Sequence, residues 1–568
     1  MRSYRFAAFL FLSAAVAAAC SSDADRGGSD AGAASDAAAA GDATGPGDAS
    51  TVNPSPTISA YVGTNVSADL WAADLGYQLA AFSGTLDATG LPSSGHTGSS
   101  TTDAGFLFPS GAYTLVYEGT GAVTVFGIGK VRGAFTTDGT KHEATVDLVG
   151  EVGRFGQPLT ITIANGAGQA VTSLHLYPPA VDATATFYPQ FLAALAPFRA
   201  LRFMDWEATN GNTLVHWADR PTSSRFGAQN GVPYELIAAL INETGKDGWL
   251  TVPEKADDDF IAQLAQFFAK KLDYVRIQKA RDAAGFTTPF RLYVENSNET
   301  WNGSFTARGT FLAAAKASPG TYTGTTRGTY GPDFMNQDPD LMRVGQYVAD
   351  RLVKIGNAFK TAFGARADAI APVLAGWALG PAYSDVGLQL IAKTYGDPKN
   401  YVAGVAQAPY FSPSNDDTTG SLTSLFGALT TAIDDMGGTF AAFANLGREY
   451  GIPIVAYEGG QGFAGETNLA VKHLAQHDVR MYSAYTRHLA LWKKHFGTSL
   501  FMHFSLAGSP GIPEPFFQYG FWGSLEGVRL DLATCGTDLP TLTGAEAIAS
   551  VATSCPKYRA LAEQVPGN

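Results

Sequence analysis

The chain has 568 residues, 45% hydrophobic and 16% charged, with 64 glycines and a formal net charge of −13. A chain of this length and apolar content can bury a sizeable core, as several domains of about 150 residues or as a larger barrel. The acid excess excludes a phosphate-backbone binder, which needs clustered Lys and Arg, so no nucleic acid is expected as a partner. Nine His and three Cys leave little material for a structural metal site, and past the N-terminus no stretch approaches the ~20 apolar residues of a membrane span.

In chain order, Arg2 and Arg5 precede an apolar run from Phe6 to Ala19. Charged then apolar, and too short to span, is the order of an export signal. The run ends Ala17-Ala18-Ala19-Cys20 before Ser21, which resembles a bacterial lipoprotein signal with Cys20 as the lipidated N-terminus. That resemblance implies an outer-membrane anchor as the only membrane contact; ordinary cleavage and free secretion is the alternative. Residues 20–56 then read as a tether, since the stretch from Ser21 to Pro56 is Ala, Gly, Ser and Asp with six Asp against one Arg and almost nothing to bury.

Residues 57–170 carry strand and turn signals. Ala112-Tyr113-Thr114-Leu115-Val116-Tyr117 and Ala122-Val123-Thr124-Val125-Phe126 flank a Gly-containing turn, Asp138-Gly139 marks a hairpin, and Leu159-Thr160-Ile161-Thr162-Ile163 alternates. An all-β sandwich-like domain is expected, with Trp71, Tyr113 and Tyr117 read as core aromatics in preference to a sugar-binding face.

From residue 171 to 568 short apolar strands alternate with helical stripes, which predicts α/β architecture with a parallel sheet. Candidate strands are Ser173–Tyr177, Ala200–Asp205, Trp249–Val252, Arg291–Glu295, Pro372–Gly376, Val402–Tyr410, Ile454–Glu458 and Leu500–Phe504. Helices are expected at Asp259–Leu272 and Asp340–Phe359. Eight strands interleaved with helices predict a (β/α)8 TIM barrel preceded by the sandwich. The Gly- and Thr-rich stretch from Asn302 to Gln337 is expected to pass over the barrel mouth. In an exported chain Cys535 and Cys555 are expected to form a disulfide worth about 3 kcal/mol.

Chemistry in such a barrel belongs at the C-terminal strand ends. The fourth candidate strand runs out through Glu295-Asn296-Ser297-Asn298-Glu299, and the seventh through Tyr457-Glu458-Gly459. Strands four and seven face each other across the mouth, so Glu299 and Glu458 can converge on one bond. Glycoside cleavage needs a carboxylic acid to protonate the leaving oxygen and a carboxylate opposite it; about 5 Å between them gives retention, nearer ~8 Å inversion. Glu295 is a rival for Glu299, since alternation places both on similar sides.

Asn298-Glu299 with a lone Glu458 resembles the clan A retaining (β/α)8 glycoside hydrolases. The resemblance covers the barrel and leaves the β domain unexplained. It implies Glu299 as acid/base, Glu458 as nucleophile, Asn298 as partner of the sugar 2-hydroxyl, and no cofactor. By position, Arg202 in Leu201-Arg202-Phe203 matches the arginine that supports the nucleophile, Tyr410 in Ala408-Pro409-Tyr410 the residue that orients it, and Trp522 the sugar platform. Pairing of Arg202 with Asp205 or Glu207 is the alternative. The segment after Glu299 reads Thr300-Trp301-Asn302, without the proline of the commonest member family, and no member family is assigned.

Trp206, Trp217, Trp249, Trp301, Trp377 and Trp522 gather near strand ends, where rings can stack on pyranose faces, with Asp205, Asn210, Asn212, His216 and Gln461 as polar neighbours. About half of these tryptophans are expected in the cleft. His473 and His477 lack an evident third ligand and read as a surface helix, so no metal is expected. No Gly-rich phosphate loop and no nucleophile elbow appear. The expectation is an exported, monomeric glycoside hydrolase acting on β-linked poly- or oligosaccharides, with two alternatives: a non-catalytic surface carbohydrate-binding protein on the same barrel, and a transglycosidase using the same glutamates.

Overall fold

The computed structural model describes residues 62–66, 71–103, 108, 110–150, 156–223, 231–330, 337–413, 420–463, 467–507, 521–525 and 555–563. The export signal, the tether, Cys20 and Cys535 lie outside the described residues.

The first described element, β1 (Val62–Asn65), is a barrel strand. Seven antiparallel strands follow: β2 (Thr97–Asp103), β3 (Gly111–Gly119), β4 (Ala122–Gly127), β5 (Gly129–Asp138), β6 (Lys141–Leu148), β7 (Pro158–Ala164) and β8 (Val171–Tyr177). The barrel resumes with β9 (Ala200–Arg202), β10 (Asp247–Val252), β11 (Leu292–Asn296), β12 (Ile370–Ala375) and β13 (Gly404–Gln407). After the short β14 (Tyr410–Phe411) come β15 (Ile454–Ala456), the short β16 (Gly460–Gln461) and β17 (Phe501–His503). The order β1-β17-β15-β13-β12-β11-β10-β9 closes on itself, all neighbours parallel. This is the (β/α)8 barrel the sequence predicts.

Barrel strands are buried on both faces, as parallel strands under a helical layer must be. One face of each strand points inward: Ala200, Trp249, Val373, Ala406, Val455, Tyr457 and Met502 fill the interior as a cluster of their own. Leu201, Leu250, Val294, Val405, Ile454 and Phe501 face outward into the main core. Gly63 completes the closure, because a Cβ there would stand 2.8 Å from the Ala200 carbonyl oxygen.

The all-β segment is inserted between β1 and β9. Its sheets run β2-β7-β4 and β5-β6-β3-β8, and inward residues of both, among them Tyr113, Leu115, Ile161, Ile163 and Leu176, join one core. Trp71, Tyr113 and Tyr117 are buried, as core aromatics should be. Two expectations are corrected. Ser173–Tyr177 belongs to β8 of the antiparallel sheet, and residue 170 does not separate sandwich from barrel, because β1 pairs with β17 and β9. The physical distinction is burial: Val171, Leu174 and Leu176 alternate with partly exposed residues in β8, the mark of a sheet covered on one side.

The insertion is fastened beside β1. Asp74 accepts hydrogen bonds from the Leu176 amide at 3.1 Å and pairs with His175 Nδ1 at 2.7 Å, and the rings of Trp71 and Trp206 lie 4.8 Å apart.

The helix Asp258–Lys271 begins at Asp257, whose side chain accepts from the Phe260 amide, and ends in Lys270 and Lys271 against the helix dipole. It buries Phe260, Leu264 and Phe268. The helix Pro339–Phe363 buries the expected stripe Leu341, Val344, Val348, Leu352 and Ile355. The stretch expected over the mouth instead contains the helix Thr306–Lys316. It is then fastened to outer helices by Tyr322 on Asp350 and by Arg327 on Asp385 and Glu449.

Candidate active site

The carboxyl-terminal ends of β1, β9, β11 and β15 converge on one buried guanidinium. Arg202 closes β9 with no exposure to solvent. Its Nε and Nη2 donate to Glu295 Oε2 at 3.1 and 2.8 Å, and Nη2 also to Asn298 Oδ1 at 2.8 Å. Its Nη1 donates to Asn65 Oδ1 at 3.0 Å and to Glu458 Oε2 at 3.2 Å. The Tyr457 ring lies 5.0 Å from its Cζ. Asn65 is held in turn by donating to the carbonyls of Tyr457 and His503.

Glu295 is thereby assigned a structural task. Oε2 also accepts from Trp249 Nε1 at 2.8 Å, and the carboxylate lies in the barrel interior beneath the strand end. Glu299, four residues on, sits in the turn above it. Ser297 and Glu299 have φ of +63° and +41°, a left-handed backbone that costs about 1–3 kcal/mol per residue and persists where surroundings enforce it. The enforcing bonds run from the Ser297 amide to the Val252 carbonyl, from the Asn302 amide to the Glu299 carbonyl, and from Asn302 Nδ2 to Glu299 Oε2 at 2.9 Å. Tyr457 donates its hydroxyl to Glu299 Oε1 at 3.3 Å.

Glu458 lies in the turn between β15 and β16. Pairing of β14 with β16 matches Tyr410 to Gly460, which brings the Tyr410 phenol beside the two glutamates. Their charges, added to burial, raise its pKa well above the usual value.

The two glutamates act directly on one another. Burial first, then the charge of the neighbouring Glu458, raise the Glu299 carboxyl well above the ordinary range. Burial also raises Glu458, but the charge of Arg202 and its hydrogen bond to the carboxylate oppose this, as do the neighbouring Glu299 carboxyl and Tyr410 phenol. As a pair they favour one shared charge, with the proton on Glu299. Asp205, in the turn after β9, is pushed up to about 7 by burial and by Glu458, against Arg202; it makes no hydrogen bond to that guanidinium.

Among the expected aromatics, Trp301 and Trp377 are half-buried and stacked at 5.1 Å with planes 10° apart. Trp522, also half-buried, meets Phe504 edge-on after β17. Trp206 is displaced from the expected role: it packs among Trp71, Phe191 and Phe203 at 1% exposure, leaving no ring face for a sugar. Trp249 serves Glu295, and Trp217 stacks on Tyr234. His216 is exposed, paired with Asp257 at 2.7 Å, and makes no hydrogen bond to the Arg202 network. Asn210 does join it, accepting from Asn298 Nδ2 at 3.1 Å. No group of three or more potential metal ligands occurs among the described residues.

Four contributors were not foreseen: Asn65, Asn302, Tyr457 and the indole of Trp249. Asn65 ends a four-residue strand, Val-Gly-Thr-Asn, too short to carry a period. Asn302 and Tyr457 are adjacent to the glutamates in sequence, and that adjacency was the available signal.

No family model matches the chain, and no curated protein matches it. Among solved structures it is similar to a GH51 arabinofuranosidase from Xanthomonas axonopodis pv. citri, at 13% identity over 58% of this chain and 62% of that one, with a TM-score of 0.34. It is similar to the CBM22-1 and GH10 modules of a Clostridium thermocellum endo-1,4-β-D-xylanase, at 12% identity over 84% and 89%, TM-score 0.34. A family 51 α-L-arabinofuranosidase from Bifidobacterium longum aligns at 14% identity over 60% and 65%, TM-score 0.35. The chain thus spans less than two thirds of either arabinofuranosidase. These neighbours are glycoside hydrolases, and at such identities the likeness is one of fold alone.

Proposed function

We propose that the protein is a glycoside hydrolase that cleaves β-linked poly- or oligosaccharides with retention of configuration. The observation that carries this reading is the buried Glu299–Glu458 pair: two neighbouring carboxyls from opposite strand ends, one favoured as the acid and the other held toward its carboxylate by the hydrogen bond from Arg202. Their closeness supports retention over inversion, which needs room for a water between them.

In the first step a Glu458 oxygen bonds to the anomeric carbon as the glycosidic C–O bond breaks, and the Glu299 proton passes to the leaving oxygen. In the second, Glu299 as carboxylate takes a proton from water while the water oxygen bonds to the anomeric carbon and releases Glu458. Arg202 holds the Glu458 carboxylate in place, and the Tyr410 phenol stands beside it. Asn298 is a partner for the sugar 2-hydroxyl. Trp522 and the Trp301–Trp377 pair offer ring faces to sugars, each stacking contact worth about 1 kcal/mol. Export with a lipid anchor at Cys20, the Cys535–Cys555 disulfide and a monomeric state belong to the same reading.

The test is release of soluble sugar from β-glucans, xylans, mannans and galactans by the purified protein and by Glu458→Ala. Cleavage of one polymer, lost in the variant, supports the hydrolase. Retention of a polymer by both proteins with nothing cut supports a carbohydrate-binding protein instead.

A further inference from the structure

The charges around Glu458 bear on which sugar the site accepts. A guanidinium carries five N–H donors, and Arg202 has five hydrogen bonds: two to Glu295 and one each to Asn65, Asn298 and Glu458. None is left for a substrate. Arg202 is also the cation whose charge acts on Glu299, Glu458 and Asp205 alike among the described residues.

Asp205 is the complementary case. It lies in the turn from Phe203 to Asn210, closed by hydrogen bonds from the Glu207 amide to the Phe203 carbonyl and from the Ala208 amide to the Asp205 carbonyl. At the end of that turn, Asn210 holds Asn298. The side chain of Asp205 is close enough for Glu458 and Arg202 to act on it. Its Oδ1 is shielded from solvent and has no hydrogen-bond partner. A shielded acceptor without a donor is unfavourable and is relieved when a donor arrives.

We infer that the reacting subsite takes an uncharged sugar, one hydroxyl of which donates to Asp205, and rejects a uronic acid. A hydroxyl supplies the missing donor. A uronate carboxylate would face Asp205 and Glu458 with no free donor on Arg202, and like charges at a shielded site are strongly unfavourable. The inference rests on the carbohydrate reading above and concerns binding, so it is measured without turnover.

The experiment uses the full chain with Glu299→Gln as parent and measures calorimetric affinity for xylo-, cello-, manno- and β-1,4-galacto-hexaose and for the β-1,4-linked hexamannuronate. Conditions are pH 8 and 0.3 M salt, where screening over roughly 6 Å suppresses the net negative charge of the whole chain. At least one neutral hexaose is expected to bind tenfold or more tighter than hexamannuronate. Adding Asp205→Ala weakens that neutral ligand at least fivefold. Adding Asp205→Asn, which keeps the shape and removes the charge, narrows the neutral-to-uronate ratio at least fivefold. Hexamannuronate binding as tightly as the best neutral ligand overturns the inference, as does Asp205→Ala binding within twofold of its parent, or no binding of any hexaose. Tight neutral binding by a chain whose unmutated form cuts nothing would remove the hydrolase reading and leave this inference standing.

Discussion

Arg202 donates to Glu458 at 3.2 Å across the barrel mouth, from a residue that also binds Asn65, Glu295 and Asn298. One guanidinium thus joins the ends of β1, β9, β11 and β15, and the closure of the barrel and the placing of the two glutamates become the same structural event.

Replacing Arg202 by Met is therefore expected to act twice. It leaves Glu295 and Glu458 buried without their cation, a loss of about 3–5 kcal/mol for a broken buried pair, read by chemical denaturation. It also removes the main influence holding Glu458 ionised, so the acid limb of any residual activity moves to higher pH. An unchanged acid limb would show that Arg202 does not set the charge of Glu458.

The pH profile follows from the directions of the two shifts. Under the proposed mechanism activity needs Glu458 ionised and Glu299 protonated, so it is expected to fall at low pH as Glu458 takes up a proton and at high pH as Glu299 loses one. Burial raises both, which places the bell above the ordinary carboxylate range. Glu299→Gln is expected to lower turnover of unactivated substrate by about 10³-fold and to abolish the basic limb with activated aryl glycosides.

Within the segment inserted between β1 and β9, His175 is raised above its usual pKa chiefly by its hydrogen bond to Asp74. A raised histidine stabilises the folded state fully below its unfolded pKa of about 6.5, and that contribution fades as pH rises through the folded value. The thermal midpoint of the parent should exceed that of His175→Gln by more at pH 5.5 than at pH 8.5. A gap that is equal at both values, or larger at pH 8.5, contradicts the assignment.

Phe521, next to Trp522, presents its carbonyl to two side chains: Gln461 Nε2 from β16, and Lys557 Nζ at 2.6 Å from the last described helix, Pro556–Ala562. Lys557→Met removes one of these restraints at a distance from the glutamates. The expected result is a KM about fivefold higher with kcat within twofold, the scale of one hydrogen bond of about 1 kcal/mol. A fall in kcat at constant KM would show that Lys557 does not act through the platform.

The barrel was legible because its strands are short, apolar and separated by amphipathic helices, and the glutamates because strand ends carry the chemistry. Three things were hidden for physical reasons. β1 is four residues long and lies upstream of the inserted sheets, so its pairing with β17 and β9 is set by tertiary contacts that leave no local period. Ser173–Tyr177 resembles a barrel strand in composition and differs in having a partly exposed face. Trp206 stands among site residues in sequence, yet the insertion supplies Trp71 to cover it, and burial of an aromatic depends on a neighbour distant in the chain.

The central claim is that Glu458 attacks the sugar. The most direct measurement is mass spectrometry of the protein after incubation with an activated 2-deoxy-2-fluoro glycoside of the sugar released in the polymer panel. The account predicts one covalent glycosyl group, located by peptide mapping on Glu458, and none on the Glu458→Ala variant. A label on Glu295 or Glu299, or ready turnover of the fluoro-sugar with no adduct at any stage, would contradict it.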